Sequence, residues 1–505
     1  MKKHIIIIGK HPLSDYVGRK SLENGSNVTI LGEWSEDVDI NNYDEAYVMM
    51  DDGKDSADAK AIDVIAKMAN KRTDNFPVLT CHLLIHSNDT LQLLMREDWK
   101  HEIRSRMDVY PFSTDQMWAS SIRVDWKPVT IQDDFVPHVV ILGDSQMAEM
   151  VAIHVAQIAH FPNYIRNHDL RTRITIVDEG AEDIMRRWTT RFKHLFDNSY
   201  YRFVDAQQGA KVISFHEPVY ASSREDFVDV EWEFVKASVY DNALNNKLQL
   251  WATDSGRQLL TVVMAYEGQT RNVNDAMKLP EALFRLQIPI YVYVRDDSSY
   301  QPLEKKGKMG NLRFFGMTDK GYDIRMPIVS MAKNVNYIYD YCYNMNVDSH
   351  GNEDGDHRIL SPPQIDKQTR ELLWRKLPNV KRLSNIYNAA TITVKMRSVG
   401  IDENEWKQFY DLPQSVINIM AEVEHNRWNV EELLLGWRPC DDSEQMEVER
   451  NIDMKEKLKK LKIHYDIRAY KDLRTDTTGQ NVNVYDLCLC AAMPMIAKTF
   501  DEDMN

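Results

Sequence analysis

Cysteine is scarce: the five in 505 residues, at 81, 342, 440, 488 and 490, are too few and too scattered for a disulfide framework. Cys488 and Cys490 stand two apart, a spacing that faces opposite sides of a helix, so no metal clip is implied. No stretch approaches the ~18 apolar residues of a membrane span, which argues against membrane insertion. The opening MKKHIIIIGKHP has only four consecutive isoleucines, too short for a signal-peptide core, and reads as a first strand. Positive charge is in deficit: 62 Lys and Arg against 77 Asp and Glu leave a net charge of −15. That balance argues against a nucleic-acid surface and leaves small anionic ligands to local basic pockets. There is no G-x-S-x-G elbow, no Walker loop and no H-E-x-x-H. With 43% hydrophobic and 28% charged residues, the chain reads as a globular, cytoplasmic protein of two to four domains.

What is present is organised around residues 138–178. An apolar run, His138 to Leu142, ends at Gly143. A helical pattern follows, with Met147, Met150, Val151, His154, Val155 and Ile158 on one face. A second apolar run, Ile174 to Val177, closes at Asp178. Strand, glycine turn, helix, strand and terminal acid open a dinucleotide-binding βαβ unit. The glycine pattern is degenerate: Gly143 holds the first place, Ser145 the second and Ala148 the third. Ser145 crowds a pyrophosphate although its hydroxyl is able to donate to one, and Asp144 puts a negative charge where an anion would sit. The candidate cofactor-binding residues are Gly143, Asp144, Ser145, Gln146, Met147 and Asp178. Tyr266 and Glu267 join them, because they follow the strong strand Leu259–Ala265 and ligands of open α/β sheets bind at strand carboxyl ends. The plainer reading is a Rossmann unit kept as scaffold, with Glu267 a solvated loop acid.

The N-terminal region repeats the plan, with strands at His4–Ile8, Val28–Leu31, Ala46–Met50 and Val78–Ile85, and helices at Ser14–Asn24 and Asp55–Lys71. His11 and Pro12 follow soon after Gly9, and proline offers no N–H to an anion, so this half reads chiefly as scaffold or dimerisation surface. The aromatic stretch 86–136 reads as a bridge between the halves. In the second half, Arg186–Phe196 and Asn272–Leu286 read as helices, and Val212–Phe215 and Ile288–Val294 as strands. Residues 347–363, rich in acids and turn formers, read as a linker. Its His350, Asp354, Asp356 and His357 match no tight metal site. Gln368–Leu377, Asn379–Val399, Leu412–Leu435 and Leu487–Phe500 carry helical patterns. The expected organisation is therefore α/β: two doubly wound, Rossmann-like parallel-sheet domains (1–136 and 137–346), a linker (347–363), and a small, mainly α-helical domain (364–505).

Both α/β halves, through HIIIIGKHPLSDYVGRKSLENGSNVTIL and HVVILGDSQMAEMVAIHVA…ITIVDE, resemble the nucleotide-binding domain of potassium-conductance regulators, RCK or TrkA-N. In that family the domain binds NAD or another adenine nucleotide and switches a partner. The C-terminal stretches AEVEHNRWNVEELLLGWRP, LKIHYDIRAYKDL and NVYDLCLCAAMPMIA resemble a ryanodine-receptor repeat (RyR) domain. His425, Trp428, Gly436, Trp437, His464 and Tyr470 fall on the family pattern in order. Tyr465 and Ala469 replace prolines of that pattern. Read from physics alone, His425 and Trp428 share a helical face, and Trp437 follows a helix-ending glycine. With Arg427 and Arg438 nearby, these rings suit a planar anionic ligand. The candidate pocket is His425, Trp428, Trp437, Arg438, His464 and Tyr470. The plainer reading is that the aromatics hold a small domain together.

Two switch-type folds joined to a binding module, with no catalytic constellation, lead us to expect a ligand-sensing regulator. It would bind a nucleotide or nucleotide-derived signal and switch a partner or oligomer, and the resemblances extend this to nucleotide-based signalling or defence. The alternatives are a cytosolic regulatory subunit of a cation-transport system, an NAD-dependent oxidoreductase, for which both glycine loops are damaged, and a purely structural dimer. Homo-oligomerisation is expected from the resemblance alone.

Overall fold

A computed structural model describes residues 2–51, 56–96, 98–206, 211–218, 226–253, 257–295, 300, 310–318, 327–344, 365–402, 405–474 and 482–497. The linker and its histidines and acids lie outside these residues. The first α/β unit runs β1 (His4–Ile8), α1 (Pro12–Glu23), β2 (Asn27–Leu31), β3 (Glu45–Val48), α2 (Ala57–Lys71) and β4 (Leu79–Leu84). It continues with α3 (Asn88–Arg96), α4 (His101–Arg104), β5 (Met107–Phe112) and α5 (Thr114–Ala119). Its five strands are all parallel, in the order β2-β1-β3-β4-β5. Ile6 and Ile8 turn to the face covered by α2, and Ile5 and Ile7 to the face covered by α1. The stretch expected to bridge the halves supplies β5, the edge strand of this sheet, and also carries Trp118 and Trp126, whose indole N–H groups donate to the Met317 and Leu260 carbonyls of the second unit.

The second unit begins with β6 (Val136–Leu142), α6 (Gln146–Ile158), α7 (Asn163–Arg166), β7 (Thr172–Asp178), α8 (Ala181–Arg191) and α9 (Lys193–Asp197). Then come β8 (Tyr201–Asp205), β9 (Lys211–His216), β10 (Val230–Lys236), α10 (Asn242–Thr253) and β11 (Gln258–Met264). It closes with α11 (Gln269–Ala276), α12 (Glu281–Arg285), β12 (Ile290–Tyr293) and β13 (Leu312–Phe315). The eight strands follow the order β13-β12-β11-β6-β7-β10-β8-β9, parallel except for β9 against β8. The single helix expected at Asn272–Leu286 is two, because Pro280 removes a backbone donor and breaks the run. Val139 and Ile141 pack under α6, and Val140 and Leu142 face the opposite layer. Both units thus have helices on both faces of a parallel sheet, the doubly wound α/β plan.

The remaining chain is mainly helical: α13 (Pro327–Asn344), α14 (Lys367–Lys376), α15 (Asn379–Ser398), α16 (Gln414–Leu434), α17 (Asp442–Arg450), α18 (Met454–Lys459) and α19 (Asn483–Ala491). A two-strand ladder joins β14 (Arg438–Pro439) to β15 (Ile463–His464). Although α13 precedes the linker, its Val329, Ala332, Val335 and Ile338 pack in one core with α15, α16 and α19. Val430, Leu433 and Leu434 of α16 instead join the core beneath α6. Among the described residues, no helix is long and apolar enough to cross a membrane.

Candidate functional site

Strand order reverses between β6 and β11, so the crevice of the second unit opens where their carboxyl ends part. Gly143 makes that turn at φ +124°, and a Cβ there would lie 2.6 Å from the Tyr266 nitrogen. Only glycine fits, because β11 runs against the turn and the conformation is left-handed. Gly9 repeats the geometry at the end of β1, with φ +124° and a Cβ position 1.9 Å from the Met49 carbonyl oxygen.

The other predicted crevice residues are brought to the same edge, and most are already engaged. Asp144 accepts two hydrogen bonds from Arg187 Nη2, at 2.7 and 2.8 Å, so its charge faces a guanidinium. Ser145 is the N-cap of α6: its hydroxyl accepts from the Ala148 N–H at 3.1 Å and donates to the Ala265 carbonyl. That donation fixes the loop to β11, so the hydroxyl expected to serve a phosphate is committed to the fold. Gln146 reaches across to the first unit, donating to the His86 carbonyl at 2.7 Å and to Asn88 Oδ1 at 3.2 Å. Met147 is buried in the core under α6 and does not line the crevice. Asp178 accepts from the Gly180 N–H at 2.8 Å, and burial, aided by Asp144, raises its carboxyl above the ordinary range. Tyr266 is buried beneath the Arg271 guanidinium, 3.7 Å from its ring centre, and its hydroxyl has no hydrogen-bond partner. Glu267 is exposed at the rim.

Sequence reasoning missed the groups that complete this edge. Arg187 comes from α8 and Arg271 from α11, with nothing in their local sequence to mark them. From the first unit come His86, whose Nε2 donates to the Met50 carbonyl at 3.0 Å, and His11, whose ring lies 5.5 Å away. Asp115, in the first turn of α5, bonds to Gln146. Burial pushes its carboxyl up to about 6, with Arg295 opposing and Glu267 reinforcing. The carboxyl ends of the two sheets therefore meet across a seam lined by His86, Asp115, Gln146 and Glu267. At this edge Asp144 faces Arg187, and Arg271 lies over the Tyr266 ring, so acids and guanidinium groups stand together there.

The C-terminal candidates are also brought together. His425 lies 5.4 Å from Trp428 and 5.8 Å from Tyr470, ring centre to ring centre. His464 stands edge-on to Trp428 at 5.0 Å and to Trp437 at 5.7 Å. His425 Nε2 donates to the Arg468 carbonyl at 3.1 Å, and its Nδ1 is 3.3 Å from Asp486. Burial pulls His464 down to about 4, keeping it neutral. The expectation that Arg427 and Arg438 charge-match a planar anion is corrected here. Arg427 is wholly buried between Glu424 and Glu431, and Arg438 forks onto Glu444 at 2.7 and 2.7 Å. Arg427 is neutralised in the core and the half-exposed Arg438 at the surface by its own glutamate. The Trp428 and Trp437 rings pack against the core of the second sheet, so they join the C-terminal helices to it.

No family model, no curated protein and no solved structure matches this chain.

Proposed function

We propose that the chain is a ligand-sensing regulatory protein that takes a nucleotide or nucleotide-derived signal in the β6–β11 crevice. The observation that carries this reading is the position of α6. Its N-terminus opens at the crevice, and its length packs against α5, α15 and α16, so one helix touches all three parts of the molecule. An anion at that N-terminus meets free backbone N–H groups and the positive end of the helix dipole. Arg187 is placed to exchange Asp144 for a phosphate oxygen, and Asp178, at the end of the second strand, stands where a ribose hydroxyl would be held. NAD or another adenine nucleotide fits this division of roles. Ligand-driven change in α6 would then alter its packing on α15 and α16, and through them a partner or a second copy.

The test is small-molecule mass spectrometry on ligand released from the purified protein, together with thermal unfolding in NAD, ADP-ribose, ATP and AMP. The informative variant is Ser145→Asp: aspartate still caps α6 but sets a second negative charge at the anion position. One compound should raise the melting temperature of the wild type and leave Ser145→Asp unmoved. No released compound and no shift by any of the four would refute nucleotide sensing.

A further inference from the structure

A second, separate recess, small and partly open, lies where the first α/β unit meets the C-terminal helices. Trp99, Arg104 and Asp108 line it from the first unit, and Arg375, Asn379 and Arg382 from α14 and α15. The charges there do not cancel. Arg104 pairs with Asp98 at 3.2 Å and Arg382 with Asp108. Asp108 is the only acid among the described residues of the wall, and its second oxygen accepts from the Tyr110 hydroxyl at 2.7 Å, so both its oxygens are engaged. Arg375 has an exposed side chain and no ion pair among the described residues. The Trp99 indole N–H, a group that only donates, is buried without a partner. Residues 374–382 carry Arg375, Lys376, Lys381 and Arg382 with no acid, in a chain whose net charge is −15. The recess thus offers the positive charge of Arg375 and the unsatisfied donor of Trp99.

We propose that this recess binds a phosphate-type oxyanion, free or as the terminal phosphate of a nucleotide. Tetrahedral oxyanions present several strong acceptors, which guanidinium forks match in geometry and charge. The oxyanion satisfies the orphaned Trp99 donor and neutralises Arg375. Because its walls come from both sides of the seam, occupancy pins α14 and α15 to the β5 edge of the first sheet. The site stands independently of the β6–β11 crevice.

The experiment is isothermal titration of the full chain in phosphate-free buffer at constant ionic strength, with inorganic phosphate, ADP and cyclic AMP as titrants. Saturable binding of phosphate or ADP is expected, weakened about tenfold by Arg375→Ala and about threefold by Trp99→Phe, which keeps the ring and removes the N–H. Phosphate binding as well as ADP identifies the free ion as sufficient, and binding of ADP alone identifies the nucleotide's terminal phosphate. Cyclic AMP, a diester without that group, should not compete. Ser145→Asp should leave this binding intact, which separates its failure from failure of the crevice reading. No saturable binding of either titrant, or affinities unchanged in both variants, overturns the proposal. Arg375 is exposed, so Arg375→Ala is expected to unfold with the wild-type midpoint in the absence of anion.

Discussion

Single residues set the crevice through backbone constraint and buried charge. Gly143→Ala forces a side chain into left-handed backbone, 2.6 Å from the Tyr266 nitrogen. It should cost about 2 kcal/mol or more in urea unfolding. Gly400→Ala, also at positive φ but with open space around it, should cost about 1 kcal/mol. Asp115 gives the pH test. Its folded pKa, about 6, lies above the 3.8 of the free carboxyl, so the folded state holds the extra proton between those values. Its contribution is most favourable below the unfolded value and is lost as pH rises through about 6. Asp115→Asn should therefore stabilise the protein by about 1–2 kcal/mol near pH 8 and by nearly nothing near pH 4, read from urea midpoints. Gly143, Asp178 and Tyr266 were legible in the sequence because strand ends and glycine turns announce themselves locally. Arg187 and Arg271 were not, since only the folded sheet brings distant helices to its edge.

At the scale of elements, hydrophobic pattern located the strands that are apolar on both faces and missed those that are not. The runs of β1, β6, β7 and β11 stand out in the sequence. β10 reads VEWEFVK, and its two glutamates argue against a buried strand until their partners are known. Glu233 is buried between Arg202, at 2.9 Å, and Lys247, at 3.3 Å, and Glu231 pairs with Arg173. Despite its burial, the surrounding cations hold Glu233 at about 2. Helix α16 hides charge in the same way. Glu424 bonds to Arg427, Lys395 and Asn388, and Glu431 bonds to Arg427 and Ser384. Removing one member of such a network leaves buried carboxylates without their counter-charge. Arg427→Met should cost about 3–5 kcal/mol in denaturant unfolding, and the half-exposed Arg438→Ala no more than about 1 kcal/mol.

Across the whole molecule, the parts share cores. Val430, Leu433 and Leu434 of α16 lie in the same cluster as Val151 and Val155 of α6 and as Trp118 and Ala119 of α5. Arg191 of α8 binds Asp89 at 2.5 Å in the first unit and Glu149 at 2.8 Å in α6, and Arg96 of α3 donates to the Leu434 carbonyl at 3.0 Å. Such ties are invisible to local pattern, which is why the sequence reading arranged the chain as a string of separate domains. They also make α6 the element through which crevice occupancy reaches the rest of the chain. Hydrogen exchange of the full-length protein, with and without the nucleotide that stabilises it, tests this most directly. Transmission through α6 predicts slowed exchange in Gln146–Ile158 together with Gln414–Leu434. Protection confined to other elements, or absent under saturating nucleotide, would contradict it.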